Sequence, residues 1–310
     1  VELCLKKSHR VSSDSIAQWY SHNLGKSKQL EDVFAILDTG IPLQIAATVI
    51  NDELYWRRRS MKRGDYSGVP DQHGQSWKQF FLETELQMIL EKFPLDFQPG
   101  ELEELYGIIQ AVRPYIFQLK IGQYPSHYDI SALLDPLPNL CVLSIVYGRT
   151  RLGMEYERGL FGMKIVDAQY LVRYVRSCQT LVKLALPCNM IDDELIKILM
   201  QGLDTCVMLQ ELDLSHNNIG DRGARRLAKL LDKPYILHTL DLSDNVIHAN
   251  GCMHLGAHLA DNMTLEVLNL RLNRSEDNGV CHLLQDLCIN KCLKKLNISC
   301  NDLTQRSLAY

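Results

Sequence analysis

Asparagine recurs in this chain at a fixed step: Asn189, Asn217, Asn245, Asn273 and Asn301 stand 28 residues apart. One strand, asparagine and helix in succession can build an active-site loop, but five in a single register imply a stack of like units. The frame around each asparagine is also shared. Leu181, Leu184 and Leu186 precede Asn189; Leu209, Leu212 and Leu214 precede Asn217; Leu237, Leu240 and Leu242 precede Asn245. Leu265, Leu268 and Leu270 precede Asn273, and Leu293, Leu296 and Ile298 precede Asn301. Such alternation gives a short strand one apolar face. A lone unit has nothing to cover that face, so neighbours must stack into a continuous core.

The pattern L-x-x-L-x-L-x-x-N is that of leucine-rich repeats. The expected fold class is therefore α/β: a leucine-rich repeat solenoid of 28-residue, ribonuclease-inhibitor-like units. Its parallel strands line a concave side and its helices a convex side, and a small α-helical domain precedes it. In this frame Asn189, Asn217, Asn245, Asn273 and Asn301 form a structural ladder. Their amides satisfy backbone groups where the chain turns off each strand, and a buried group left unpaired there costs roughly 1–3 kcal/mol. The helices keep the same register: Ala224, Leu227, Ala228 and Leu231 become Cys252, Leu255, Gly256 and Leu259, then Val280, Leu283, Leu284 and Leu287. Glycines 223, 251 and 279 align at the helix starts.

Upstream the frame loosens. Leu140, Leu143 and Ile145 lead to Gly148 near the place of the asparagine, and Ile116, Leu119 and Ile121 form a still earlier unit. The 41 residues from Ile145 to Leu186 exceed the period by 13, which places an insertion near 149–163 ahead of a helix starting near Val166. Tyr156 and Phe161 give that insertion apolar surface for a partner. The expected division is a helical N-terminal capping domain over 1–112 and a repeat domain over 113–310. Within the first, "PLQIAATVINDELYWRRRSMKRG" predicts one helix from Pro42 to Gly64, and "WKQFFLETELQMILEKF" a second, amphipathic one. Arg57, Arg58 and Arg59 head a basic run that is either a contact for an acidic partner or a solvated helix end.

A formal net charge of -4 gives no bulk affinity for nucleic acid. No stretch approaches a membrane-spanning apolar run, and the first residues do not read as a signal peptide. With no initiator Met and nine residues after Asn301, the expectation is a piece of a longer protein. The ten cysteines fall singly through the repeats, as small buried apolar residues of a reducing compartment do. Three sequons occur, and the one at Asn273 lies in the ladder, where a glycan would break the stack; this favours the cytoplasm.

No phosphate-binding loop, nucleophile elbow, calcium loop or paired-cysteine zinc motif is present. His254 and His258 have zinc-like spacing but no catalytic glutamate between them, and their register places them on the surface. No catalytic, cofactor-binding or metal-binding residue is assigned, no small-molecule substrate is expected, and an enzyme is disfavoured. Function is then expected on surfaces. The strand residues facing away from the core are Glu211, Asp213, Asp241, Asn269, Arg271, Lys295 and Asn297, acidic in the middle and basic at the end.

The segments "WYSHNLGKSKQLEDVF", "YWRRRSMKRGD" and "LDLSHNNIGDRGARRLAKLL" together resemble the T-complex-associated testis-expressed family, the subunit 5 family of the nexin–dynein regulatory complex. That resemblance implies a non-catalytic scaffold in the axoneme of motile cilia and sperm flagella. Its partners would be other complex subunits, and it would help regulate dynein-driven sliding. Two other classes share the repeat pattern: an F-box-like substrate adaptor of a ubiquitin ligase, to which "GIPLQIAATVINDELYW" has a faint similarity, and a leucine-rich repeat GTPase-activating protein. Binding to a ligase core or stimulated GTP hydrolysis would distinguish them.

Overall fold

Where one helix is predicted from Pro42 to Gly64, the chain builds two, α1 (Leu43–Val49) and α2 (Glu53–Arg63). Asp52 is the cause: its carboxylate accepts the Tyr55 amide at 2.6 Å, so a new helix starts there. Ile50 turns extended and buries, and its carbonyl accepts the Trp56 indole N–H at 2.9 Å. Gly64, in the left-handed region at φ 82°, ends α2. These coordinates are a computed structural model describing residues 37–64, 71, 73–149, 158–232 and 236–305.

Helix α3 (Trp77–Lys92) departs from the amphipathic expectation, since no residue from Trp77 to Glu91 is exposed. Phe80, Phe81 and Leu82 are consecutive and all buried, so apolar groups point around more than half of the cylinder. Two charged side chains are buried with them. The Glu83 carboxylate accepts the amides of Phe117 and Gln118 at 2.8 and 3.0 Å and pairs with His73. The Lys78 ammonium donates to Asn51 Oδ1 at 2.6 Å and lies over the Tyr115 ring. Helix α4 (Pro99–Val112) begins with a capping box between Gln98 and Glu101.

The chain divides into two compact units. Of the described residues, one comprises those up to Gln87 with Phe97–Gln118 and Pro136–Asn139, and the other Met88–Asp96, Leu119–Asp135 and those from Leu140 onward. The core of the first gathers Ala46, Tyr55, Trp56, Phe81, Leu105 and Ile109.

The second unit holds the repeats. Among the described residues, seven strands form one sheet in chain order: β1 (Gln118–Tyr124), β2 (Val142–Tyr147), β3 (Lys183–Ala185), β4 (Glu211–Asp213), β5 (Thr239–Asp241), β6 (Val267–Asn269) and β7 (Lys295–Asn297). From β2 to β7 every pairing is parallel, and from β3 onward the register is the sequence period, with Leu184, Leu212, Leu240, Leu268 and Leu296 side by side. Between strands run α5 (Ile130–Leu134), α6 (Ile165–Ser177), α7 (Asp193–Leu203), α8 (Asp221–Ala228), α9 (Ala249–Leu259) and α10 (Glu276–Leu287), and consecutive helices from α5 to α10 pack on one another. The core between the layers consists of strand leucines with Ala224, Leu227, Cys252, Leu255, Val280 and Leu283. This is the expected leucine-rich repeat solenoid.

Gly148 anchors the insertion. It bridges Tyr124 on one side and Phe161 on the other, both antiparallel, and the Arg149 amide donates to the Leu160 carbonyl at 2.9 Å. At φ 88°, a Cβ on Gly148 would stand 2.2 Å from that same carbonyl oxygen, so only glycine fits. Residues 150–157 lie outside the described residues. The ring of Tyr147, next to Gly148, packs edge-on against buried Tyr124 and is stacked on His127, which pairs with Asp167 at 2.7 Å. Burial pushes the Tyr147 phenol well above its ordinary pKa.

Candidate functional site

Each ladder asparagine works across two repeats. The Asn217 carboxamide nitrogen donates to the carbonyls of Leu186, Leu214 and Ser215, each at 2.9 Å. Its oxygen accepts the amides of Asn189 and Ile191, each at 3.0 Å. Asn245, Asn273 and Asn301 repeat the arrangement: their oxygens accept Ile219, Ile247 and Ser275 amides, and their nitrogens reach Leu214, Leu242 and Leu270 carbonyls. Asn189 serves the irregular turn, accepting the Tyr147 amide at 2.6 Å and donating to Ile145 at 2.7 Å. All five are buried.

The residue before each asparagine, Cys188, His216, Asp244, Leu272 or Cys300, adopts positive φ between 53° and 58°. That turn geometry points the side chain outward. The reading of every cysteine as a buried filler is thereby corrected: Cys206 and Cys252 are buried, whereas Cys188 and Cys300 are exposed in these turns and Cys288 is exposed at the end of α10.

On the sheet face, two rows cross the strands. Val142, Lys183, Glu211, Thr239, Val267 and Lys295 stand in register, as do Ser144, Ala185, Asp213, Asp241, Asn269 and Asn297. Glu211 is held by Lys183 at 2.6 Å, and Asp241 accepts the Asn269 amide at 2.9 Å. Asp213 and Asp241 also each accept the backbone amide two residues on, at 2.9 and 2.8 Å, which tightens the strand exit. Arg271, Lys295 and Asn297 are the exposed members of the group.

The basic run of α2 is built into its own unit. Arg58 donates to the Leu37 carbonyl at 2.9 Å, Arg59 donates to the Tyr55 hydroxyl at 3.1 Å and lies over Trp56 and Phe81, and Arg57 lies over Trp77. Only Arg57 of the three is exposed. Of the insertion residues, Phe161 is half-buried beside Gly148, and Tyr156 lies outside the described residues. His258 pairs with Asp232, and His254 is half-buried beside it on α9.

The family model described as "Leucine Rich repeat" matches residues 205–228, 237–256 and 290–308. These matches fall on the observed repeats, and the fold of the unit that holds them is the leucine-rich repeat fold. The chain is 37% identical over 172 residues to the Dynein regulatory complex subunit 5 of Chlamydomonas reinhardtii, covering 55% of this chain and 43% of the relative. It is 34% identical over 201 residues to the protein of that name from Mus musculus, covering 55% and 39%. The chain therefore spans about two fifths of the length of these curated relatives. A solved structure of the leiomodin-1 actin-binding site 2 is similar over 44% of this chain and 80% of its own, at 18% identity and a TM-score of 0.39.

Two further ladders in the leucine-rich repeats are absent from the sequence reading. At the helix exits, Asn262 donates to the Leu231 carbonyl at 2.8 Å and accepts the amides of Thr264 and Leu265. Asn290, one period later, does the same with Leu259, Cys292 and Leu293. Cys206 holds the equivalent place. At the helix starts, Asp193 Oδ1 accepts the amides of Gly220 and Gly223 at 2.8 Å, and Asp221 those of His248 and Gly251. Each caps the next repeat's helix with negative charge. The signal was present in the 28-residue spacing of Asp193, Asp221 and Asp277, but Ala249 interrupts it.

Proposed function

We propose that this chain is a non-catalytic scaffold subunit of the dynein regulatory complex, acting in the axoneme of motile cilia or flagella and helping to regulate dynein-driven sliding. The observation that carries it is identity of 33–37% to four curated proteins named Dynein regulatory complex subunit 5. A stacked array of ladder-held repeats supports the same reading, because it offers extended rigid surface rather than an enclosed reaction site. Its partners are then the other complex subunits. Among the candidate contacts on the sheet face, the exposed Arg271, Lys295 and Asn297 are the first to test, with Glu211, Asp213, Asp241 and Asn269 completing the rows.

The test is fractionation of demembranated axonemes. Retention of the native protein through a salt wash supports the scaffold reading. Its complete appearance in the soluble extract would sink it. An Arg271→Glu, Lys295→Glu copy separates the surfaces, since its selective release places a contact on the sheet face. Asp213 and Asp241 are poorer choices because their replacement also breaks the strand-exit turns.

A further inference from the structure

The convex side carries a charge pattern that the ladders do not use. Outward positions of α6, α7 and α8, with the turn after α8, fall in two rows one helical turn apart: Gln169, Lys197 and Arg225, then Arg173, Gln201 and Lys229. All six are exposed; four are cations, two are amides and none is a carboxylate. One period further the same places hold Met253 and Ala257, so the band ends at α9.

The three helices are tied closely. Arg226 donates to the Asp193 carbonyl at 3.0 Å, and a Cβ on Gly202 of α7 would stand 3.2 Å from Val172 Cα of α6. Between α6 and α7 lies an open groove of about 470 Å³. Exposed Gln169, Arg173, Arg176 and Gln201 border it, and buried Val172 and half-buried Ile198 form its apolar floor. Its guanidiniums are held in place: Arg173 pairs with Asp129 at 2.8 Å, and Arg176 Nε donates to the Gln201 carbonyl at 3.1 Å. Glu194, one turn before Lys197, lies outside both rows and approaches it to 3.8 Å.

We propose that this band binds an acidic polypeptide segment, with Asp or Glu side chains on Arg173, Lys197, Arg225 and Lys229 and one apolar side chain seated against Val172 and Ile198. A phosphodiester backbone has nothing to place on that apolar floor. Acidic peptide is the better match to cations spaced by amides. This binding does not depend on the axonemal reading, and its test is run on purified protein, so the two fail separately.

The measurement is fluorescence anisotropy of a short fluorescein-labelled glutamate-rich peptide carrying one leucine, titrated with the whole chain at several salt concentrations. Arg225→Glu, Lys229→Glu is expected to weaken binding by about tenfold or more, with Arg225→Gln, Lys229→Gln intermediate. Lys295→Glu, on the sheet face, should leave it unchanged, and removing the peptide's leucine should weaken it. Urea denaturation of each variant reports whether it folds; if the reversal variant does not, the glutamine variant decides. Equal binding by the band variants, equal loss in the Lys295 variant, or tighter binding of duplex DNA or anionic vesicles would each overturn the proposal.

Discussion

Asn217 binds three carbonyls and two amides belonging to two neighbouring repeats, all away from water. Asn217→Ala strands those groups together, and the expected loss is roughly 2–4 kcal/mol, read as a lower urea midpoint. Asn217→Asp should be no better, because a carboxylate has no hydrogen to give the three carbonyls. The position before the asparagine obeys a different constraint. Leu272 has φ 58° and lies at the surface, 36% exposed, so it bears left-handed strain. Leu272→Asn should raise stability by about 0.5–1 kcal/mol, and Leu272→Val should lower it. The asparagines were legible because leucine spacing marks their register. Asn262 and Asn290 were not, since Cys178, Cys206 and Pro234 occupy the earlier places of their series.

Individual elements show where periodicity stops being informative. Helix α3 reads as amphipathic, yet its Lys78 and Glu83 are buried because each found a partner from a distant segment. Burial pulls Lys78 down to about 8, against 10.5 for the unperturbed side chain, with Glu53 pulling weakly the other way. Between those values the unfolded chain holds a proton that the folded chain has released. Stability contributed by this group therefore rises with pH from about 8 toward 10.5, and below about 8 the fold bears the cost of a buried ammonium. Urea midpoints of wild type and Lys78→Met at pH 7.5, 9 and 10 should converge as pH rises, the wild type gaining relative to the variant. A constant difference would remove the assignment. The split of the predicted helix at Asp52 has the same origin: the side chain caps α2 locally, but the burial of Ile50 that makes the break favourable is tertiary.

At the scale of the molecule, a repeat array is stabilised chiefly by nearest-neighbour interfaces. Leu212 and Leu240 of β4 and β5 are fully covered by strands on both sides, whereas Leu296 of β7 is only half-buried. Hydrogen exchange should accordingly protect the amides of Leu214 and Leu242 longer than those of β7, and equal protection would contradict a stack of separable interfaces. The sequence by itself determined the period, the strand register, the core face of helices α8 to α10 and the asparagine ladder, because each rests on spacing that these units repeat. Tertiary structure decided what happens where repetition fails. Gly148 became a bridge between Tyr124 and Phe161, the α2 arginines turned onto the aromatic rings of their own unit, and Asp213 and Asp241 joined their own backbone instead of standing free. The physical reason is common to all three. A periodic pattern specifies which face is dry, but the partner of a polar group is whatever the folded chain brings within about 3 Å of it.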